Sequence, residues 1–184
     1  AYIKSGDIVI PTKKFCSLGR GVLLDLGIHL IDLLKWFFGS LDIVSAHFRS
    51  MYTQVDDLFE AELRTETNII IKIEITWSDP QFRLPETYIE IKGSKGFLKV
   101  TEDYLEITAE EEHELIGGMK AVKFYKPHYY QGIPPINLAD PEYTIENMHF
   151  LQSIYENMQP LTSIDKVADV MNIVDEMYKE AGFE

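Results

Sequence analysis

The sequence predicts an α+β fold, an open antiparallel β-sheet with helices packed on one face. Three observations predict it. Between residues 42 and 126, apolar and polar residues alternate with period two. The connections between these alternating segments are short, which means antiparallel pairing, because a parallel pair needs a crossover of a dozen residues or more. Over residues 141–182 the apolar positions switch to spacings of three and four, the repeat of amphipathic helices. One sheet face is apolar and the other mostly polar, so helices are expected on one side, with water or a partner on the other.

A short apolar strand signal opens at residue 8 and is followed by one very apolar helix ending near Gly39. In the strand region Phe59, Ala61 and Leu63 alternate with Glu60, Glu62 and Arg64. Ile69, Ile71, Ile73, Ile75 and Trp77 share one face, with Lys72, Glu74 and Thr76 on the other. Ile89 and Ile91 alternate with Tyr88, Glu90 and Lys92, and Gly93-Ser94-Lys95-Gly96 makes a tight turn to the next strand. Leu98 and Val100, Leu105 and Ile107, and Val122 and Phe124 continue the pattern.

Ile145, Met148, Leu151, Tyr155 and Met158 then form a helical stripe, stopped by Pro160. Thr162 stands three residues before Asp165, a start like a capping box. Ile164, Val167, Ala168, Met171, Val174 and Tyr178 form the last stripe, with Gly182 placed to end it.

The 184 residues are read as one domain, residues 1–184, of ordinary globular composition, with 46% hydrophobic and 26% charged residues. A net charge of −13 argues against binding to nucleic-acid phosphates or to an anionic membrane surface. No apolar run reaches the 18 or so residues a membrane span needs, and residues 1–7 lack the pattern of a signal peptide. A single cysteine, Cys16, cannot pair within the chain, so a reducing, cytoplasmic setting is expected. The chain starts at Ala1 rather than Met, as expected of a processed chain or a piece of a longer one.

The most informative segment is the helix from Gly19 to Gly39. It is apolar on nearly every side, which predicts burial. Its polar residues Asp25, His29, Asp32 and Lys35 are spaced four, three and three and line up along one face. Burying such groups without partners costs several kcal/mol. Three readings are open: a network bonded inside the core, the wall of a site with His29 as acid/base and Asp25 orienting it, or a metal site at Asp25, His29 and Asp32. The metal reading lacks a second His or Cys cluster, and no metal is expected. An imidazole suits acid/base work because its ordinary pKa lies near working pH. Gly27 inside the helix signals close approach, by a ligand or by tight helix-on-sheet packing.

At these residues the sequence resembles the C-terminal domain of the Gfo/Idh/MocA oxidoreductases, which include glucose–fructose oxidoreductases and inositol dehydrogenases. The family segment runs Gly-Gly-Gly, a few apolar residues, then Asp-x-Gly-x-His-x-x-Asp. Here it stands as Gly19-Arg20-Gly21 and Asp25-Leu26-Gly27-Ile28-His29-Leu30-Ile31-Asp32, with Arg20 in place of the middle glycine. Asp56-Asp57-Leu58-Phe59 resembles the start of the family's sheet, and Ile89 to Leu98 its hairpin. The closing helices match in order.

The resemblance implies an N-terminal Rossmann domain that binds NAD or NADP, which is expected to be absent from this chain. Gly19-Arg20-Gly21-Val22-Leu23-Leu24 lacks the third glycine of a dinucleotide fingerprint, and no βαβ unit follows it. Tyr125-Lys126-Pro127 echoes the family's Glu-Lys-Pro motif without its Glu, and Lys126 is read as an exposed strand end.

By the same resemblance His29 is the catalytic histidine, taking a proton from a sugar, nucleotide-sugar or polyol hydroxyl as hydride leaves the same carbon. Asp25 fixes the imidazole and contacts substrate. Asp32 is read as structural support. Lys35 is expected to reach a helix-end carbonyl or solvent. Lys14 and Arg20, with Lys13, are candidates to touch an acidic or phosphorylated substrate; a solvated loop is the alternative. Tyr129, between His128 and Tyr130, is a candidate to lie over a sugar; a packing plug is the alternative. The whole protein is then an NAD(P)-dependent dehydrogenase forming a homodimer or larger assembly through the open sheet face, with Tyr88, Glu90, Lys72, Glu74 and Thr76 on that face. The chain alone is not expected to turn over. A non-catalytic ligand-binding or oligomerisation module of the same fold is the alternative.

Overall fold

The computed structural model describes residues 19–52, 54–82, 86–126 and 141–183, together with the backbone of residues 2–4. The strand signal at residue 8, Lys13, Lys14, Cys16 and the His128–Tyr130 loop lie outside the described residues.

Among the described residues, eight strands form one sheet: β1 (Tyr2–Lys4), β2 (Leu41–Arg49), β3 (Leu58–Thr65), β4 (Ile70–Thr76), β5 (Glu86–Gly93), β6 (Gly96–Thr101), β7 (Tyr104–His113) and β8 (Met119–Tyr125). Their spatial order is β2-β3-β4-β1-β5-β6-β7-β8. Every neighbouring pair is antiparallel except β1 with β4. β4 and β5 follow one another in sequence yet do not touch, because β1 lies between them, with Tyr2 opposite Glu74 on one side and Tyr88 on the other. The alternation gave no hint of this insertion, since three residues are too few to show a period.

The predicted alternation holds where the sheet is covered. Phe59, Leu63, Ile71, Ile73, Ile75 and Trp77 are buried, whereas Ile69, just before β4, is exposed. The covering layer is a five-residue π-helical turn (Leu23–Gly27) running into α1 (Ile28–Phe38), with the C-terminal helix α3 (Ile164–Glu180) beside it. Leu23, Leu30, Ile31 and Leu34 meet Val170, Val174, Met177 and Tyr178 in one core over β2–β4. Gly39, at φ 77°, closes α1 by donating its N–H to the Lys35 carbonyl at 2.9 Å, a backbone conformation that favours glycine. A Cβ on Gly27 would stand 2.6 Å from Ile75 Cδ1, so this glycine serves helix-on-sheet packing.

The remaining helix, α2 (Pro141–Glu156), departs from expectation. Its stripe of Ile145, Met148, Leu151 and Tyr155, with Met158 just beyond, is exposed, Tyr155 by 90%. On α3 the buried face is Val170, Val174, Met177 and Tyr178, while Ile164 and Val167 are exposed. Ser163 rather than Thr162 precedes α3, and its side chain makes no capping bond. Gly182 ends the helix as predicted, at φ 75°. Thr76, expected on the open face, is buried and donates its hydroxyl to the Asp57 carbonyl at 3.1 Å.

Candidate active site

Asp25 sits in the π-helical turn, and His29 and Asp32 follow on α1. All three side chains are exposed, while Leu30, Ile31 and Leu34 of the same helix are fully in the core. The helix is therefore not buried all round; it packs one side on the sheet and turns a polar edge outward. At 3.6 residues per turn the residue that continues this edge is Trp36, at spacing four, three and four from Asp25. Trp36 is 72% exposed. Lys35 lies off the edge, and its Nζ meets Asp169 Oδ2 of α3 at 3.1 Å instead of a helix-end carbonyl. Among the described residues, no three His, Cys, Asp or Glu side chains gather to hold a metal ion.

The start of this helix is held by a residue 35 positions away in sequence. Gly21 N–H donates to Asp56 Oδ1 at 2.6 Å and Leu23 N–H to Asp56 Oδ2 at 2.9 Å. Val22 N–H donates to the Asp56 main-chain carbonyl at 2.8 Å. These are the donors that a helix start would otherwise leave open to an anion. The Asp56 carboxylate takes the place that a phosphate would need, so Gly19-Arg20-Gly21 offers no nucleotide cradle. A Cβ on Gly21 would stand 2.7 Å from Asp56 Oδ1 and closer still to its carbonyl, so only glycine admits this approach.

Tyr178 completes the arrangement from α3, its hydroxyl donating to the Asp56 carboxylate at 3.1 and 3.2 Å. Burial pushes the Asp56 carboxyl above its ordinary range, while the N–H groups of Leu23 and Gly21 and the Tyr178 hydroxyl pull it back. Burial first, and then the neighbouring carboxylate, push the Tyr178 hydroxyl up. The next residue, Asp57, is also fully buried: Trp77 Nε1 donates to its Oδ1 at 3.1 Å and Tyr52 N–H to its Oδ2 at 2.6 Å.

Arg20 pairs with Asp175 and lies over the Tyr178 ring, 4.9 Å from its centroid. Its guanidinium is thus engaged with α3. His149 accepts from Leu161 N–H at 3.0 Å, closing the α2–α3 connection. Lys126 follows β8 and meets Glu142 of α2 at 3.1 Å, so it is more than an exposed strand end. His47, Glu60, Glu62, Lys72 and Glu74 line a shallow depression on the open sheet face, away from α1.

The arrangement defines a class: an α+β domain whose sheet carries one helix with an outward Asp–His edge. The GFO/IDH/MocA C-terminal domain model matches residues 9–99. A D-apiose dehydrogenase from Paraburkholderia graminis is 23% identical over 167 residues, covering 88% of this chain and 43% of that protein. A levoglucosan dehydrogenase in complex with NADH and L-sorbose superposes with a TM-score of 0.79 at 20% identity, covering 98% of this chain and 55% of that one. An oxidoreductase from Agrobacterium radiobacter in complex with NAD+, L-tartaric acid and magnesium gives 0.72 at 17% identity, covering 98% and 53%. Over residues 9–99 the chain is similar to the C-terminal domain of the GFO/IDH/MocA family, and its fold is that of the dehydrogenase structures it superposes on. It spans about half the length of the relatives it matches.

Proposed function

We propose that this chain is the substrate-binding half of an NAD(P)-dependent dehydrogenase acting on a hydroxyl of a sugar, nucleotide sugar or polyol. The observation that carries the reading is the exposed Asp25–His29 edge on a helix whose other side is locked into the core. The relatives support it: a D-apiose dehydrogenase, and a levoglucosan dehydrogenase seen with NADH and a sugar. A nicotinamide cofactor, when bound, supplies the hydride acceptor.

The residues of this chain fit the proton side of that reaction. His29 accepts the hydroxyl proton while the hydride leaves the same carbon, and Asp25, one helical turn away, orients the imidazole and meets the substrate. The described helix start is filled by Asp56, which supports the reading that the dinucleotide is held by a separate N-terminal half. Lys14 and Tyr129 remain candidate substrate contacts, and Arg20 a weaker one given its engagement with Asp175. A second copy joins through the open face of β2–β4, where Lys72 and Glu74 alternate with buried Ile71, Ile73 and Ile75. A cytoplasmic setting goes with the lone Cys16; no described helix is long and apolar enough to cross a membrane.

The test is substrate-dependent reduction of NAD and of NADP by the full-length protein, across a panel of sugars and polyols. His29→Ala is expected to lower kcat by roughly 10²–10⁴-fold. Turnover at the wild-type level in that variant would refute the acid/base role given to His29. Light scattering on the same sample reads the assembly, and a monomer overturns the dimer face.

A further inference from the structure

We propose that Asp56 is the positioning residue for the Asp25–His29 edge, and that Tyr178 couples it to the C-terminal helix. The inference rests on the function proposed above and deepens it. Three consecutive N–H groups, those of Gly21, Val22 and Leu23, all end on this one residue. Asp25 follows two positions later and His29 one turn beyond. Apolar packing keeps a helix on a sheet but resists sliding and rotation weakly, because the hydrophobic effect has no direction. A slip of one residue turns every side chain by about 100°. Hydrogen bonds do have direction, and three on successive residues fix both the rotation and the height of the helix start. Gly21 lets Asp56 come this close, since any Cβ would collide with it.

Asp56 is itself held from the far end of the chain. The Tyr178 hydroxyl bonds its carboxylate, the Tyr178 ring packs edge-on against Phe59 at 5.6 Å, and Arg20 lies across the ring while paired to Asp175. The C-terminal helix therefore bears on the angle at which the Asp–His edge is presented, although its described side chains bond Asp56, Arg20 and Lys35 and not that edge. Displacements near 1 Å remote from the chemistry can cost a reaction of this kind about 100-fold.

The experiment has two arms. In the first, NMR on this chain follows the Asp25 amide and the His29 ring protons in Asp56→Asn and Tyr178→Phe. Asparagine keeps the size but turns an N–H₂ toward one of the helix donors; phenylalanine keeps the ring and removes only the hydroxyl. Both variants are expected to shift the Asp25 and His29 signals while β6 and β7 signals stay put, Tyr178→Phe less than Asp56→Asn. In the second, the full-length protein carrying each variant is assayed beside His29→Ala. Asp56→Asn is expected to lower kcat by roughly 10–100-fold with KM changed less than about 2-fold.

Lower thermal stability with Asp25 and His29 signals unmoved and kcat unchanged overturns the proposal and leaves Asp56 a structural residue only. If His29→Ala retains turnover, the acid/base role of His29 fails, and the NMR arm alone then decides whether Asp56 sets the edge. If Asp56→Asn does not fold, Tyr178→Phe decides by the same two readouts.

Discussion

The two halves of the sheet are built on the same alternation and end in different states. On β2–β4 the inward positions Phe59, Leu63, Ile73 and Ile75 are sealed by α1 and α3. On β6–β8 the corresponding Leu98, Leu105, Ile107, Val122 and Phe124 stay half-buried, and on the neighbouring α2 Met148, Leu151 and Tyr155 are exposed. Period-two and period-3.6 patterns say which face of an element is apolar; they do not say that anything lies on it. Asp25 and His29 of the proposed site belong to the sealed half, on the outer edge of the helix that does the sealing. A site that must hold two side chains in one orientation gains from standing on the part of the molecule with the densest packing.

Removing methyl groups from each half in turn separates the two halves by the largest expected effect. Leu63→Ala in the sealed half is expected to cost about 2–5 kcal/mol, the range for a leucine deleted from a packed core. Val122→Ala on β8 is expected to cost about 1 kcal/mol or less, because its side chain already meets water. Urea unfolding of this chain measures both. Equal losses would show that the two halves are equally packed in solution.

The sealed half holds a buried acid–hydroxyl pair, Asp56 with Tyr178. Burial holds the Asp56 carboxyl above its ordinary pKa of 3.8, so the folded chain binds that proton more tightly than the unfolded chain. Its contribution to stability is complete below 3.8 and is lost as pH rises through the folded value. Tyr178 is raised in the same way, so a second loss begins above pH 10. Each group adds a slope of at most about 1.4 kcal/mol per pH unit within its window. Urea midpoints measured against pH are expected to show both declines in the wild type. The first disappears in Asp56→Asn and the second in Tyr178→Phe. Parallel curves for wild type and variants would mean that these groups titrate as they do in water.

Much of this was legible from local pattern. The alternations around Phe59, Ile73 and Ile89, the turn at Ser94-Lys95, the stop at Gly182 and the spacing of Asp25 and His29 all act within a few residues, where sequence order and spatial order coincide. Counting by 100° per residue would also have placed Trp36, not Lys35, on the edge. What escaped were contacts between distant residues. Asp56 reaches Gly21 across 35 positions and Tyr178 across 122. Its local mark was the stretch Asp56-Asp57-Leu58-Phe59, which resembles the start of the family's sheet but names no distant partner. β1 escaped because its pairing is decided by β4 and β5, not by its own three residues.

The smallest expected effect separates the ion pairs that tie α1 to α3 from the packing between them. Lys35–Asp169 bridges the two helices at 3.1 Å, but the carboxylate is 63% exposed, so water and salt screen it. Lys35→Ala is expected to cost no more than about 1 kcal/mol, shrinking further in 1 M salt. Arg20→Ala removes a charge paired with Asp175 and also the guanidinium face lying over Tyr178, and the stacked part of that loss does not depend on salt. Unfolding midpoints at low and high salt are therefore expected to converge with wild type for Lys35→Ala and to stay below it for Arg20→Ala. Convergence of both would make Arg20 only a surface charge, leaving the Asp56 bonds and the core beneath them to hold the two helices together.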